Sequence, residues 1–441
     1  MKLSSLKLKN YRRFESFEMD FDPEMTVIAA RNGQGKTTIL EAIAAALGPF
    51  VGAFDMGKSE HISRNDARYS VVGDGYENEQ NFPVIVEAVL EEPDIQWQRA
   101  LNTPKGRTTT KEAAPLANYG KQLQNTLRHD GSVQLPVIAY YPSSRLWITH
   151  KDSSNKAILT GSRTMGYEDC LSSASSFRQL QKWFNVATRS IQQQKEVQSL
   201  DSSNLGHRVN GVQMAVNAMM KDEGWGKFHF SFIHEELAMT HPDHGELPVS
   251  MLSDGVRAMI SLSADIAFRC ARLNAHLGEK APIETSGIIM IDELDLHLHP
   301  AWQQRVIKSL RSAFPAIQFI VSTHSPQVLS TVNSKNIRII YRNVDDAWKS
   351  MAPSEEVKGI ESAVALNDVM GVSPIPPVEE ADWLANYIEM IDSQTHENAE
   401  GLELRQKLVA LYGTMHPALL HTDRLIRFQK LKAQHRKSEK D

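Results

Sequence analysis

Short apolar bursts open the chain: Leu3, Leu6 and Leu8, then Phe14, Phe17, Met19 and Phe21, with polar residues between them. That spacing predicts two half-buried antiparallel strands. The run Val27-Ile-Ala-Ala30 has no polar position and predicts a strand buried on both faces that enters a loop. From Thr37 the period becomes helical. Ile39, Leu40, Ile43, Ala44 and Leu47 share one face, and Gly48-Pro49 is the expected stop. Further strands are predicted at 84–92 (VIVEAVLEE) and 135–141 (LPVIAYY), the second running into the turn Pro142-Ser-Ser-Arg145. The Thr-, Lys- and Gly-rich stretch 102–112 between them predicts an exposed loop.

Residues 165–223 are polar and helix-prone, rich in Gln and Ser around 176–204, and lack sustained heptads. They predict a short helical subdomain and not a long coiled coil. A helix over 255–274, a strand over 286–291, a helix over 300–313 and strands over 317–323 and 337–341 follow. This βαβ rhythm implies a largely parallel, covered sheet. Beyond 345 the composition shifts: a Pro-rich stretch, 371–380, separates helical segments. The last residues, 424–441, carry Arg424, Arg427, Lys430, Lys432, Arg436, Lys437 and Lys440. No internal repeat is visible.

Composition narrows the class only modestly. Of the 441 residues, 41% are hydrophobic and 23% charged, as in an ordinary globular protein. The net charge of −5 argues against bulk attraction to nucleic acid or anionic membrane, though not against a local basic patch. Cys170 and Cys270 fit no metal-ligand spacing and read as two reduced thiols. No apolar stretch approaches the roughly 20 residues a membrane span needs, and the first residues carry no secretory pattern, so a cytoplasmic protein without a membrane partner is expected.

The chemistry begins at Ala30-Arg-Asn-Gly-Gln-Gly-Lys-Thr-Thr38, between a buried strand and an amphipathic helix, the setting of a phosphate-cradling loop. Gly33 and Gly35 let backbone N–H groups turn inward, with Asn32 and Gln34 beside them, and the helix N-terminus adds partial positive charge. Lys36 offers a point charge to the β- and γ-phosphates of ATP, and Thr37, followed by Thr38, places a hydroxyl for Mg2+. Ala30 stands where such loops usually carry their first glycine, a position that needs compactness more than an unusual φ. Downstream, a hydrophobic strand ends in Asp292-Glu293. Asp292 can hold Mg2+, and Glu293 can polarise the attacking water; capping of the next helix is the plainer alternative.

Three further segments need context to carry meaning. His324 ends the strand IQFIVST, where a histidine can sense a γ-phosphate. Ser253-Asp254-Gly255-Val256 opens a helix, with Ser253 as its natural cap and Gly255 permitting close approach. His297 and His299 are too few for a zinc site and suit a turn that orients a partner.

The order of phosphate loop, LSDG signature, strand-DE and strand-STHS resembles the ABC ATPases, and more narrowly the group of SMC, Rad50, RecF and OLD proteins. The opening Leu6-Lys-Leu-Lys-Asn-Tyr-Arg-Arg-Phe14 and the run Asp292-Glu-Leu-Asp-Leu-His-Leu-His-Pro300 match as well. The resemblance implies an α/β ABC-ATPase head, a mixed sheet with its phosphate-loop helix, carrying an inserted helical subdomain and a helical C-terminal extension. The expected domains are 1–150 with the phosphate loop, a helical insertion at 151–245, a second ATPase lobe at 246–345, and an extension at 346–441 for partner docking. It also implies an ATP-sandwiched homodimer or higher oligomer in which Ser253, Asp254, Gly255 and Val256 act in trans. By the same likeness Glu293 is the catalytic base, His324 the switch residue, Thr37 and Asp292 the magnesium ligands, and Arg12 or Arg13 a nucleotide contact. No residue is assigned to the Q-loop.

The missing features narrow the branch. Transporter ATPases usually carry LSGGQ; SMC and Rad50 proteins insert long heptad arms; OLD nucleases continue into an acidic nuclease domain. The segments 252–274 and 404–417 are similar to those of the PtuA ATPases of Septu and retron-associated anti-phage systems. That likeness implies a regulatory ATPase working with an HNH nuclease. A RecF- or SMC-like clamp that grips DNA is the second reading.

Overall fold

The computed structural model describes residues 1–72, 77–146, 162–172, 177–196 and 204–438. Strands β1 (Lys2–Tyr11), β2 (Phe14–Asp20) and β3 (Met25–Ala29) lead into helix α1 (Lys36–Val51). Then come β4 (Tyr69–Val72), β5 (Glu77–Gln80), β6 (Val84–Glu92), β7 (Ile95–Leu101), α2 (Ala114–His129) and β8 (Val137–Tyr141). The middle holds α3 (Phe177–Glu196), α4 (Leu205–Met220), β9 (Gly226–Ser231), β10 (Glu236–His241) and β11 (Gly245–Pro248). It is followed by α5 (Asp254–Leu273), α6 (Ala281–Glu284), β12 (Gly287–Ile291), α7 (Pro300–Gln303), α8 (Val306–Ala313) and β13 (Ile317–Thr323). The chain continues through α9 (Pro326–Leu329), β14 (Ile337–Arg342), β15 (Trp348–Met351) and α10 (Ser362–Asp368), and ends with α11 (Glu379–Asp392), α12 (Ala399–Tyr412) and α13 (Pro417–Ser438).

Two large sheets divide the strands by their residue patterns. β1 and β2 alternate buried and exposed positions and join β6 and β7 in an antiparallel sheet, order β2-β1-β6-β7. β3, β8, β12 and β13 are buried on every residue and lie together in a six-stranded sheet, order β15-β14-β3-β13-β12-β8. Within it β8, β12, β13, β3 and β14 are parallel, whereas β15 is antiparallel, so the sheet is mixed. An all-apolar strand suits the inner position of a covered parallel sheet, because both of its faces meet helices. The buried amide of Gln318 in β13 stitches the sheets together. It donates to the Leu3 and Asp22 carbonyls at 2.8 and 2.9 Å and accepts the Leu3 N–H at 2.7 Å.

Helix α1 does not stop at Gly48-Pro49 as its sequence suggests; it runs to Val51 with Pro49 inside. Proline at this position cannot donate to the carbonyl of Ala45, four residues back. The buried guanidinium of Arg99 on β7 donates to that carbonyl instead, and the Trp97 indole donates to the next one, Ala46, at 2.8 Å. Tertiary donors repair the ladder, so the helix survives its proline.

The expected domain scheme differs from the structure in two places. The segment 151–245, expected to be helical, contains α3 and α4 but ends in the antiparallel strands β9 to β11, which lead directly into the signature. The expected boundary near 345 falls inside a hairpin, since β15 pairs with β14 through Tyr341↔Lys349 and its neighbours. The chain instead divides into compact units at 1–370 and 371–441. The helix expected over 300–313 is broken into α7 and α8. The smaller unit builds its own core from Tyr387, Ile391, Leu408 and Leu419. Within the basic C-terminal stretch, Arg424, Arg427, Lys430 and Lys432 are exposed on α13, whereas Lys440 lies outside the described residues. Among the described residues no helix is long and apolar enough to cross a membrane.

Candidate nucleotide site

Parallel strands end on one edge of a sheet, and the loops leaving that edge converge. Here the in-register neighbours Ala29↔Thr323 and Ile291↔Val321 bring three strand ends together. β3 releases the phosphate loop, β12 releases Asp292-Glu293, and β13 releases His324. β8 lies beside β12, with Tyr141 opposite Ile291.

The phosphate loop is closed on itself. The Arg31 N–H donates to the Gln34 side chain at 2.8 Å, and the Gln34 N–H returns to the Arg31 carbonyl at 3.3 Å. Gly33 and Gly35 have φ of 74° and 99°, a region that favours glycine. Gly35 is required for space as well, because a Cβ there would lie 2.6 Å from the Phe14 ring. Asn32 and Gly33 are exposed at the loop's tip. Lys36 is buried, its Nζ donating to the Ala30 carbonyl at 2.9 Å and more weakly to that of Arg31 at 3.4 Å. Burial lowers its pKa, opposed by the negative charges of Asp292, Glu293 and Asp295. Thr38 is buried in the first turn of α1.

The oxygens suited to a metal meet across the loop. Thr37 Oγ1 donates to Asp292 Oδ2 at 2.7 Å, and Ser322 Oγ donates to Asp292 Oδ1 at 2.5 Å. A hydroxyl and one carboxylate, both hard oxygen donors, fit magnesium, which takes one or two carboxylates beside substrate phosphates. Ser322 also accepts the Glu293 N–H at 2.8 Å, fixing that backbone at φ 48°. Asp295 accepts from Thr323 Oγ1 at 2.5 Å and from the His324 N–H at 3.2 Å, tying the end of β13 to the acidic loop. Burial, then the charge of Lys36, lowers the His324 pKa, so the ring is neutral near pH 7.

The two candidate arginines part company. Arg12, at φ 49°, is held between the carboxylates of Glu41 and Asp66, and its Nε donates to Asp66 at 2.9 Å. These contacts tie it to Glu41 on α1 and to Asp66. Arg13 is exposed beside the loop, its Cδ 3.0 Å from where a Gly35 Cβ would stand. Its guanidinium lies 5.1 Å from the centre of the Trp348 ring, with Arg342 over the same ring at 5.3 Å. Burial and the like charge of Arg342 lower its pKa.

The signature is built separately. Ser253 precedes α5, but its side chain makes no capping bond, contrary to the sequence expectation. Its hydroxyl and Asp254 are exposed, and Asp254 pairs with Arg257 one turn on at 2.6 Å. Val256, the last residue of the motif, is half-buried on the first turn. Gly255 packs against the turn after Glu293; a Cβ there would be 2.4 Å from the His297 carbonyl. Among the described residues no hydrogen bond or ion pair joins Ser253, Asp254, Gly255 or Val256 to the phosphate loop. His299 accepts the Ala301 N–H at 3.3 Å and so caps α7, and no metal-holding cluster of three His, Cys, Asp or Glu exists among the described residues.

Residues 5–209 match a family described as AAA domain, and residues 162–330 match one described as AAA domain, putative AbiEii toxin, Type IV TA system. The chain is an ATPase. It is similar to the Retron Vc95 probable ATPase of Vibrio cholerae serotype O1 biovar El Tor, 25% identical over 87% of this chain and 82% of that one. It is also similar to the Septu protein PtuA of Bacillus thuringiensis, 21% identical over 90% of each. An SMC head domain from Thermotoga maritima covers 80% of this chain and 99% of its own, at 16% identity and a TM-score of 0.42.

Sequence reasoning missed four residues of this ATPase's site. Ser322 is a polar interruption in the apolar strand IQFIVST, a signal that was legible. Asp295 sits in the quoted acidic run without a role of its own. Trp348 and Tyr141 carry no local signal, because their neighbours come from distant strands.

Proposed function

We propose that this ATPase is the regulatory subunit of an anti-phage defence complex, forming ATP-sandwiched dimers that govern a partner HNH nuclease. The observation that carries the dimer is the separation just described. Each chain presents a furnished phosphate and metal edge, and an exposed helix start at Ser253-Asp254 that, among the described residues, makes no hydrogen bond or ion pair to the phosphate loop. The similarity to retron and Septu ATPases supports the defence role.

Each residue then has a chemical part. Lys36 leaves its carbonyl partners for the β- and γ-phosphates, and the loop N–H groups around Gly33 and Gly35 face the same oxygens. Thr37 and Asp292 would hold magnesium, which neutralises phosphate charge when bound. Glu293 accepts a proton as water attacks the γ-phosphorus; the bond to the β-bridging oxygen breaks, leaving ADP and phosphate. His324, neutral and held by its backbone to Asp295, offers a ring N–H to the transferred group. Arg13, held near Trp348, flanks the phosphate loop beside Gly35. Ser253 and Gly255 of the second copy complete the cradle from a helix N-terminus.

Exposed Arg424, Arg427 and Lys432 favour the second reading, a clamp that grips DNA. Co-purification from the native host, weighed with and without ATP, separates the two. The defence reading expects a nuclease-sized partner and an ATP-dependent doubling of mass. A chain that stays monomeric with ATP bound rules out the sandwich, and salt-sensitive DNA retention without a nuclease favours the clamp.

A further inference from the structure

A buried polar junction lies where the signature helix crosses the end of β8. Asp265, fully buried on α5, accepts from the Tyr141 hydroxyl at 2.7 Å and from Arg269 Nε at 2.9 Å. Arg269, one turn further, donates through Nη1 to the carbonyls of Gly166 and Glu168 at 2.9 and 3.1 Å. Tyr141 is the last residue of β8, and its carbonyl accepts the backbone N–H of Asp292 at 2.8 Å. One residue therefore holds the metal-bearing strand end by its carbonyl and the signature helix by its hydroxyl.

A buried ion pair alone says little about function. The position of this one says more. An α-helix rises 1.5 Å per residue, so about 16 Å of α5 separates Asp265 from Asp254. A helix pinned at Asp265 acts as a lever: a small tilt there becomes a larger shift at the exposed Ser253 and Asp254. Tyr141 at the lever's fulcrum is bonded to the neighbouring strand end, whose Asp292 accepts the phosphate-loop threonine hydroxyl at 2.7 Å.

We propose that Tyr141 and Asp265 are positioning residues that transmit nucleotide occupancy at Asp292 to the pose of the signature this chain offers a second copy. The inference rests on the sandwich reading for what the signature meets, but the transmission is internal to one chain. Tyr141→Phe removes the hydroxyl and keeps the ring; Asp265→Asn keeps the shape and removes the charge.

Hydrogen exchange along α5 is measured with and without ATP, in the full chain, at a concentration where its mass remains that of a monomer. The wild-type chain is expected to show an ATP-dependent change in the first turns of α5. Tyr141→Phe should lose it while binding a fluorescent ATP analogue within about two-fold of wild type, and its kcat should fall about ten-fold, the scale of one hydrogen bond to a carboxylate. Asp265→Asn should do the same. An α5 that ignores ATP in the wild type, or one that still responds in either folded variant, overturns the inference. So does a loss of ATP affinity parallel to the loss of kcat. Failure of the sandwich reads differently: α5 responds to ATP, but the mass never doubles at any concentration.

Discussion

The strand-end edge and the start of α5 both face phosphate in the proposed mechanism, yet they are built in opposite ways. At the edge, Thr37, Ser322 and Asp295 are joined to their neighbours by hydrogen bonds of 2.5 to 2.7 Å. The first turn of α1 and the ends of β12 and β13 supply them, and Asp292 takes one partner from α1 and another from β13. At the start of α5, Ser253 leaves its helix uncapped by a side chain, and among the described residues the Asp254 side chain bonds only to Arg257. Preorganised polar groups fix one geometry at folding. An exposed helix end leaves its first N–H groups to water, and an anion from elsewhere can take that water's place. The contrast teaches that the edge is furnished within one chain, whereas the start of α5 is completed in the proposed mechanism by a second copy.

Breaking the edge should give the largest effects. Glu293→Gln should lower turnover by roughly 100- to 10,000-fold, the usual worth of a general base, while ATP binding persists and the ATP-bound dimer accumulates. Steady-state phosphate release and size measurement check both; unchanged turnover removes Glu293 from the chemistry. Lys36→Ala should weaken ATP by about 100-fold in a calorimetric titration, since a buried cation loses its contacts with two phosphates.

Breaking the other surface should separate binding from hydrolysis. Ser253→Ala should leave ATP affinity intact and lower kcat by about ten-fold, one lost bond to a charged group. If affinity falls equally, Ser253 serves its own chain's site and the comparison collapses. A chain ending at residue 370 should still bind ATP while losing its nuclease partner, because 371–441 is a separate unit with its own core; retention of the nuclease places docking on the larger unit.

The smallest effect concerns His324. Its pKa is lowered by burial and by Lys36, so the unfolded chain takes up this proton first as pH falls below the ordinary histidine value. The sign is fixed: this group adds to stability above that value, and the contribution is lost as pH drops toward the folded pKa. An NMR titration of the ligand-free chain should place the ring's midpoint below 6.5; a midpoint above it contradicts the arrangement.

Much of the site was legible locally. The phosphate loop, Asp292-Glu293 and His324 each follow an apolar run, and a run ending in polar residues marks where a buried strand leaves the sheet. The runs at 27–30, 286–291 and 317–323 gave both the strands and their ends. Less legible was anything decided by a distant donor. Gly48-Pro49 reads as a stop, yet Arg99 and Trp97 carry α1 past it. Arg12 and Arg13 are adjacent and chemically alike, but Glu41 and Asp66 hold the first while Trp348 holds the second. The strands β9 and β10 were legible but missed: Phe228, Phe230 and Phe232 alternate, as do Leu237 and Met239, a two-residue period inside a stretch read as helical.

The sequence by itself determined which segments would be strands leaving polar loops, and so which residues could touch phosphate, because period and turn chemistry act over a few neighbouring residues. Only the tertiary structure decided strand order, the different partners of Arg12 and Arg13, the cap that Ser253 does not make, and the link from Tyr141 to Asp265. Those depend on which distant donor or acceptor arrives at a buried group, and a buried polar group must find one wherever the fold brings it.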